Sequence, residues 1–504
     1  MTRAPLPPLA PRAAAGGRRD EVTIEQVSAG FQRLALQLLP WLQGLLAAIA
    51  GLLLFVAGLP SLLIFAAIAG PLVVLLQLWL RQAGPVLPIL PAYLLIQAIV
   101  NLVPLAGTSI PAAWLEQGQL LSAVTTSLVL WFLAIGVGWL FTPPSLGMAA
   151  DRTPLPLARS QTWLAHQLLL VALLTRLAPA APGFWTLLGS NANTVFSLLK
   201  VVGSFAITAG GFLGAYRWAI GVLPRPWLWW LTVGAILAQS FATLLLSSAQ
   251  GLVLTVLLGL WLGRPRRALP VTLVALVLVG VLQQGKAVVR ERYWENGTGG
   301  KALAGVNPTQ LAAEWIDASL NAAPTEGSGI KKKGLADRVS NLYNLFYVVD
   351  KLEAGTPPMD GGSLAVIPQV LVPRVFNPDK VRGQEGQVLL NLHFGRQQTR
   401  EQTEVTYIAW GFLPEAVGNF GSFFGPLVYG VVVGVLLRIS ENVGRLQPLL
   451  SVSGLLSLAV TVVWLTSYEA VASTFVGSIA QIVIFLLLLT VVIGSGAGST
   501  PQRR

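Results

Sequence analysis

Most of the chain is written in long apolar runs separated by brief polar stretches, and only one internal polar stretch is long. Runs at 37–58, 60–80, 87–107, 120–141, 161–182, 194–216, 227–247, 249–263, 268–284, 421–438, 448–467 and 470–493 are apolar on all sides rather than along one stripe. A helix needs about 20 such residues to cross the hydrocarbon of a bilayer, and a helix that is apolar all round belongs in lipid or a large core. The pattern predicts an all-α polytopic integral membrane protein with about twelve transmembrane helices. The run at 249–263 is short and the pair joined by "GLPS" at 58–61 is tight, so the expected count spans eleven to fourteen.

The long polar stretch, 285–420, differs in kind. "NPTQLAAEWIDASLNAA" (307–323) and "ADRVSNLYNLFYVVDKLEAG" (336–355) repeat apolar residues at helical spacing, with Gly355 as a stop before Pro357 and Pro358. The expected organisation is a basic, disordered tail (1–33), a bundle of about nine spans (34–284), one large extracytoplasmic loop with short helices (285–420), a bundle of about three spans (421–493) and a second tail (494–504).

Composition agrees with this reading. Of 504 residues 54% are hydrophobic and 11% charged, and the mean hydropathy is +0.68, too apolar for a soluble surface. The chain has no cysteine and two histidines, His166 and His393, which excludes disulfides and thiolate metal sites. The first thirty residues lack the short charged start and apolar middle of a secretory signal.

Charge then orients the spans. Basic residues in short loops collect on the cytoplasmic side. With the N-terminus inside, 17 of the 19 Lys and Arg residues outside 285–420 fall in cytoplasmic segments or at their edges, and the short outer loops hold none. Both termini are therefore expected in the cytoplasm, and 285–420 outside it. The net charge of +12 is an orientation signal, so no nucleic-acid partner is implied.

The outer segment carries 14 basic and 14 acidic residues, two thirds of all the acids. Lys286 and Arg290 lie four apart at the end of the ninth span, on one helical face. Arg338 follows the "KKKG" run, and Arg374 and Lys380 belong to "VPRVFNPDK", a proline-framed corner. Such groups on a rigid backbone suit a phosphate or pyrophosphate: Arg supplies a planar fork and Lys a compact charge. An exposed basic residue is ordinarily solvated or touches anionic headgroups, and Lys331–Lys333 read that way. Arg176 and Lys200 fall inside spans, where ionisable groups are costly and commonly face a cavity; the competing reading is snorkelling to the outer interface. Asp379, Glu401, Glu404, Glu415 and Glu469 are available for proton transfer. Glu415 stands in apolar surroundings where the loop re-enters the membrane, and His393 is an alternative base. No Walker loop, HExxH or clustered acid pair occurs, so neither a metal nor a cofactor is expected.

The run "RVSNLYNLFYVVDKLEAGTPPMDGGSLAVIPQVLVPRVFNPDK" with "YIAWGFLPEAVGNFGSFFGPLVYG" resembles the bacterial O-antigen polymerases, the oligosaccharide repeat-unit polymerases of the Wzy type. The residues that carry the resemblance are Arg338, Ser340, Thr356, Pro357, Gly362, Ser363, Pro373, Arg374, Pro378, Lys380, Glu415, Asn419, Phe420 and Gly421. It covers about the last 230 residues, including "GKAVVRERYW". Asp379 departs from the family pattern, which has a Lys-Pro order there.

The resemblance implies a membrane-embedded glycosyltransferase of O-antigen or exopolysaccharide biosynthesis in the bacterial inner membrane. A glycan on polyprenyl pyrophosphate would pass to the terminal sugar of a new lipid-linked repeat unit. Arg374, Arg338 and Glu415 become the expected catalytic residues. Lys286, Arg290, Lys380, Arg176, Lys200 and His393 become the expected contacts to pyrophosphate or glycan. The implied partners are the lipid-linked donor and acceptor, the bilayer, a chain-length regulator and a flippase. Three other readings remain open on the residues alone: an O-antigen ligase, a transporter or flippase for lipid-linked glycans, and a scaffold without chemistry. The ligase shares the donor; a flippase would scatter charge through its spans and need no single long loop.

Overall fold

The computed structural model describes residues 23–106, 110–147, 163–181, 183–189, 192–241, 246–290, 308–320, 341–372, 377, 380–405, 408–449 and 451–497. Helix forms in each of the twelve apolar stretches, and no strand occurs among the described residues. Among the described residues five helices are long and apolar enough to cross a membrane: Ile24–Val56, Gly58–Gln82, Gly118–Phe141, Leu198–Ile220 and Phe412–Val443. Ile89–Leu105, Leu164–Leu177, Ala249–Gly263, Val452–Thr466 and Ala472–Leu487 are apolar but shorter. The 24–56 helix shows its apolar side chains outward, with Trp41 78% and Phe55 88% exposed. Apolar surface on that scale fits a lipid environment.

Three boundaries differ from the sequence reading. Helix begins at Ile24, inside the expected tail, because Thr23 and Gln26 close a capping box on the first turn. At the other end the Ala472–Ala497 helix runs into the expected tail at 494–504. The third difference lies at the re-entry, where a further helical piece, from Phe412 to the break at Gly421, precedes the expected span. Gly411, at φ 90°, turns the chain into it, and Pro414 sits in the first turn, where its missing N–H breaks no helical bond. The irregularity expected at "GNFG" is present as a break at Gly421, with φ 79° and ψ 172°. Ser127 donates to the Ser422 carbonyl at 2.8 Å, so a neighbouring helix satisfies backbone freed near the break.

The 412–443 helix is the centre of the bundle, and its main partner is the 118–141 helix. A Cβ at Gly434 would run into the Ile135 carbonyl, one at Gly138 into the Val431 carbonyl, and one at Gly430 would meet Ala134 at 2.6 Å. Small residues on both helices thus bring the backbones together, the usual route to close packing where water supplies no drive.

Glu441, fully buried on the 412–443 helix, ties three further elements to it. Its Oε1 accepts from the Trp79 indole at 2.8 Å and from the Leu90 backbone N–H at 3.0 Å. Oε2 accepts from the Trp139 indole at 2.8 Å and lies 3.6 Å from Arg438, whose guanidinium covers the Trp139 ring. Leu90 opens the 89–102 helix, so the carboxylate also faces a helix N-terminus.

Loops meet in two groups. Ile24 donates to the Gln447 carbonyl, Ser28 to that of Gly84, and Asn442 to those of Pro143 and Leu146. At the opposite end Asn341 donates to the Tyr468 carbonyl, Trp410 to that of Glu469, and Trp114 stacks on Phe346 with 5.9 Å between centroids. The helix at Asn341–Glu353 ends as expected at Gly355, whose φ is 95°.

Replacing Glu441 with Ala should cost about 3–5 kcal/mol, because it strands a buried guanidinium and removes the acceptor of three buried donors. Gly434→Leu should be as damaging by forcing the 118–141 helix away. Thermal unfolding of the detergent-solubilised protein, followed by size-exclusion chromatography, measures both; unchanged melting would remove Glu441 and the glycine contact from their structural roles.

Candidate functional site

The second group of loops is built on a hydrogen-bonded unit at the start of the 412–443 helix. Glu415 is fully buried there, and both of its oxygens are taken. Oε1 accepts from the Ser363 hydroxyl at 2.7 Å, and Oε2 accepts from the Ala472 N–H at 2.6 Å, at the N-terminus of the 472–497 helix. Asn419, one turn on, donates to the Ser363 hydroxyl and to the Glu415 carbonyl, each at 2.8 Å. The Met359 and Asp360 N–H groups donate to the Gly418 and Asn419 carbonyls, both at 3.0 Å. The turn of prolines and glycines at 356–363 is thus clamped onto the re-entering helix. Space is tight at its base: a Cβ at Gly386 would stand 2.9 Å from the Ser363 carbonyl and 2.8 Å from the Ser473 hydroxyl.

Around this unit stand the polar groups that reach the surface. His393 ends the Glu385–His393 helix and donates its Nε2–H to the Pro357 carbonyl at 2.8 Å. A carbonyl can only accept, so in the neutral ring Nδ1 keeps its lone pair and can take a proton. Arg396 follows two residues after Phe394. Its Nη1 donates to Asn344 at 2.6 Å, and its guanidinium lies 5.5 Å from the Tyr343 ring, 5.6 Å from Tyr347 and 5.9 Å from Trp410. Burial holds its pKa below the usual guanidinium range. Asn344 in turn donates to the Ala409 and Trp410 carbonyls at 2.8 and 3.0 Å, and Trp410 donates to Asn391 at 2.8 Å.

No protein-family model, curated protein or solved structure matches this chain. Its residues and their geometry therefore carry the functional reading.

The expected site residues fall in different places. Glu415 and His393 come to the same clamp, one as its buried anchor and one at its rim. Lys380 works within its own corner: Nζ donates to the Val370 and Val372 carbonyls at 2.8 and 2.9 Å, closing the chain from the end of the Ile367–Leu371 helix to 380. Arg176 and Lys200 turn to different neighbours. Arg176 turns to Gln239 and Ser240 at 3.2 and 2.6 Å, whereas Lys200 is exposed and covers the Phe196 ring of its own helix at 4.3 Å. Lys286 and Arg290 are on the Pro265–Arg290 helix, as expected, but their side chains are outside the described set. Arg338 and Arg374 lie outside the described residues altogether.

The sequence reading passed over Arg396, Tyr343 and Tyr347. Nothing local separates Arg396 from Arg400 in "GRQQTR", yet Arg400 is spent on a two-pronged ion pair with buried Glu385 at 2.6 and 2.7 Å. The one readable signal was the i, i+4 pair of tyrosines, which stacks on one face of the 341–353 helix.

Ser363→Ala should leave a Glu415 oxygen and an Asn419 amide short of a partner, at a cost of about 1–3 kcal/mol. Lys380→Met should leave the melting temperature closer to wild type while opening the corner, so that protease cuts near 372–380 much faster. Melting curves and timed proteolysis of the two variants check this; a Lys380→Met protein cut at the wild-type rate would deny the tie its role.

Proposed function

We propose that this protein polymerises lipid-linked oligosaccharide repeat units at the outer face of the bacterial inner membrane, with both termini in the cytoplasm. A hydroxyl oxygen of the acceptor's terminal sugar bonds to the anomeric carbon of the donor glycan. The bond from that carbon to the polyprenyl pyrophosphate breaks, the pyrophosphate departs with the electron pair, and the hydroxyl proton passes to a base. Arg338, Arg374 and Arg290 bind the departing pyrophosphate as its charge grows, with Lys286 beside them. Preorganised cations serve such a step because they need not reorient as charge develops. Lys380 frames the corner that carries Arg374. His393, with Nδ1 left as an acceptor, is the group suited to take the proton, and Glu415 holds the clamp beneath it.

The observation that supports this reading is the convergence of the resemblance residues. Gly362, Ser363, Glu415, Asn419 and Gly421 are up to about sixty positions apart in sequence, and Ser363, Glu415 and Asn419 share one buried hydrogen-bonded unit. Asparagine and serine buried around a carboxylate are costly unless geometry demands them. A loop that must present charge rigidly to a lipid-bound substrate makes that demand.

A strain lacking the gene should accumulate single lipid-linked repeats in place of polymer, read by mass analysis of the lipid-linked pool. Arg374→Ala and Arg338→Ala should each lower polymerisation on the order of a hundredfold to a thousandfold at normal membrane abundance. Arg374→Lys should recover part of it, and Lys332→Ala should be nearly silent. Normal polymer in the deletion strain would reject the function. For orientation, a cysteine at Ser328 of this cysteine-free chain should react with an impermeant reagent added from outside, and one at Gly147 should not; the reverse pattern would invert the topology.

A further inference from the structure

The outer surface holds a feature that the clamp does not use. Trp114, on the short Ala112–Glu116 helix, lies 5.4 Å from Tyr343, and Tyr343 stacks on Tyr347 at 6.3 Å with the rings 16° apart. All three rings are half-buried, so the strip they form is partly accessible although Trp114 also stacks on Phe346. Two cations flank the ring at its end: Arg396 and Lys351 each lie 5.6 Å from the Tyr347 centroid. His393 stands behind them, its ring edge-on to Phe394 at 4.8 Å.

The charge balance of the strip is the informative part. Arg396 is held by neutral partners: the Asn344 amide, the Ala409 carbonyl oxygen at 3.5 Å and three aromatic rings. Among the described residues no carboxylate comes within ion-pair distance of Arg396 or Lys351. Asp350 and Glu353, on the same helix, are the acids nearest in sequence, and neither closes a bridge to them. A partly desolvated cation without a counter-ion is costly, and the nearby Arg400 shows the cheaper arrangement with Glu385. A guanidinium fork prefers a planar two-oxygen anion. Flat ring faces, negative at the centre, suit the C–H face of a pyranose.

We infer that the strip of Trp114, Tyr343 and Tyr347 with Arg396 and Lys351 binds a saccharide carrying an anionic group, with the ring on the aromatic faces and the anion on Arg396. This deepens the polymerase reading and rests on it for its biological setting: the repeat unit that the protein handles is an acidic one, bearing a carboxylate such as that of a hexuronic acid. The aromatic strip favours a sugar acid over a bare phosphate, because a phosphate leaves the ring faces without a partner.

Binding to the full-length protein in nanodiscs, followed by tryptophan fluorescence and calorimetry, tests this with three probes: an oligogalacturonate, its neutral methyl ester and inorganic phosphate. The oligogalacturonate should bind at least tenfold more tightly than either of the others. Arg396→Gln should bring it down to the level of the ester, Lys351→Gln should weaken it in part, and Arg396→Lys should fall between, since an ammonium keeps charge without the fork. Should Arg396→Gln fail to fold, the wild-type comparison of acid against ester, with Lys351→Gln, still decides. Equal binding of acid and ester, or acid binding that survives Arg396→Gln, overturns the inference. So does phosphate bound as tightly as the sugar acid, which would make the strip a phosphate site. If the deletion strain polymerises normally while acid binding holds, the function falls and the site stands; lost polymerisation with no preference for the acid is the opposite result.

Discussion

A carboxylate buried in an apolar bundle must find donors or be paired, and the 412–443 helix carries one at each end. Glu415 and Glu441 are 26 positions apart on either side of the break at Gly421, where the two helical pieces pack together so closely that a Cβ at Gly425 would run into the Ala416 carbonyl. Each is fully buried and each is met by groups from other elements. Glu441 recruits the indoles of the 58–82 and 118–141 helices and the first turn of the 89–102 helix. Glu415 recruits Ser363 from the outer turn and the first N–H of the 472–497 helix. Removing either carboxylate would leave several donors buried and unpaired, so the two ends of one helix set where its neighbours sit.

Between those ends the packing is of the opposite kind. Gly138, Gly430 and Gly434 remove side chains so that backbones can touch, and the break at Gly421 is met by a serine of the adjoining helix. The central helix is therefore fastened by hydrogen bonds where the chain approaches the two surfaces and by close contact in the apolar middle. That division follows from the environment, since dispersion and small-residue contact work without water, whereas a buried polar group needs its own partner wherever it lies.

The basic residues of the outer segment show how little their position along the chain says about their availability. Lys380 closes a corner onto two carbonyls, Arg400 is committed to Glu385, and Arg396 sits among neutral groups and aromatic rings. In a list of residues the three are alike. Arg396 combines partial burial, a charge and neutral partners, and it was not a candidate on sequence grounds. Glu415, which was, has both oxygens occupied from within the chain, and so suits holding the loop rather than meeting a substrate.

Hydropathy alone determined much of the architecture. A run of about twenty apolar residues has one satisfactory backbone conformation in lipid, since only a helix pairs its own N–H and C=O groups there, and helix forms at each of the twelve runs. Gly355 as a helix stop and the irregular backbone at "GNFG" were legible for a similar reason, being local consequences of glycine conformation. The helix start at Ile24 was missed because a capping box extends helix into polar sequence, where hydropathy carries no signal, and the short helical piece at 412–420 is set off by the glycines at 411 and 421. The partners of Glu415, Glu441, Lys380 and Arg396 are separated from them by anything from eight to several hundred positions. Such pairings depend on which surfaces the packed helices bring face to face, and that was decided by the tertiary structure alone.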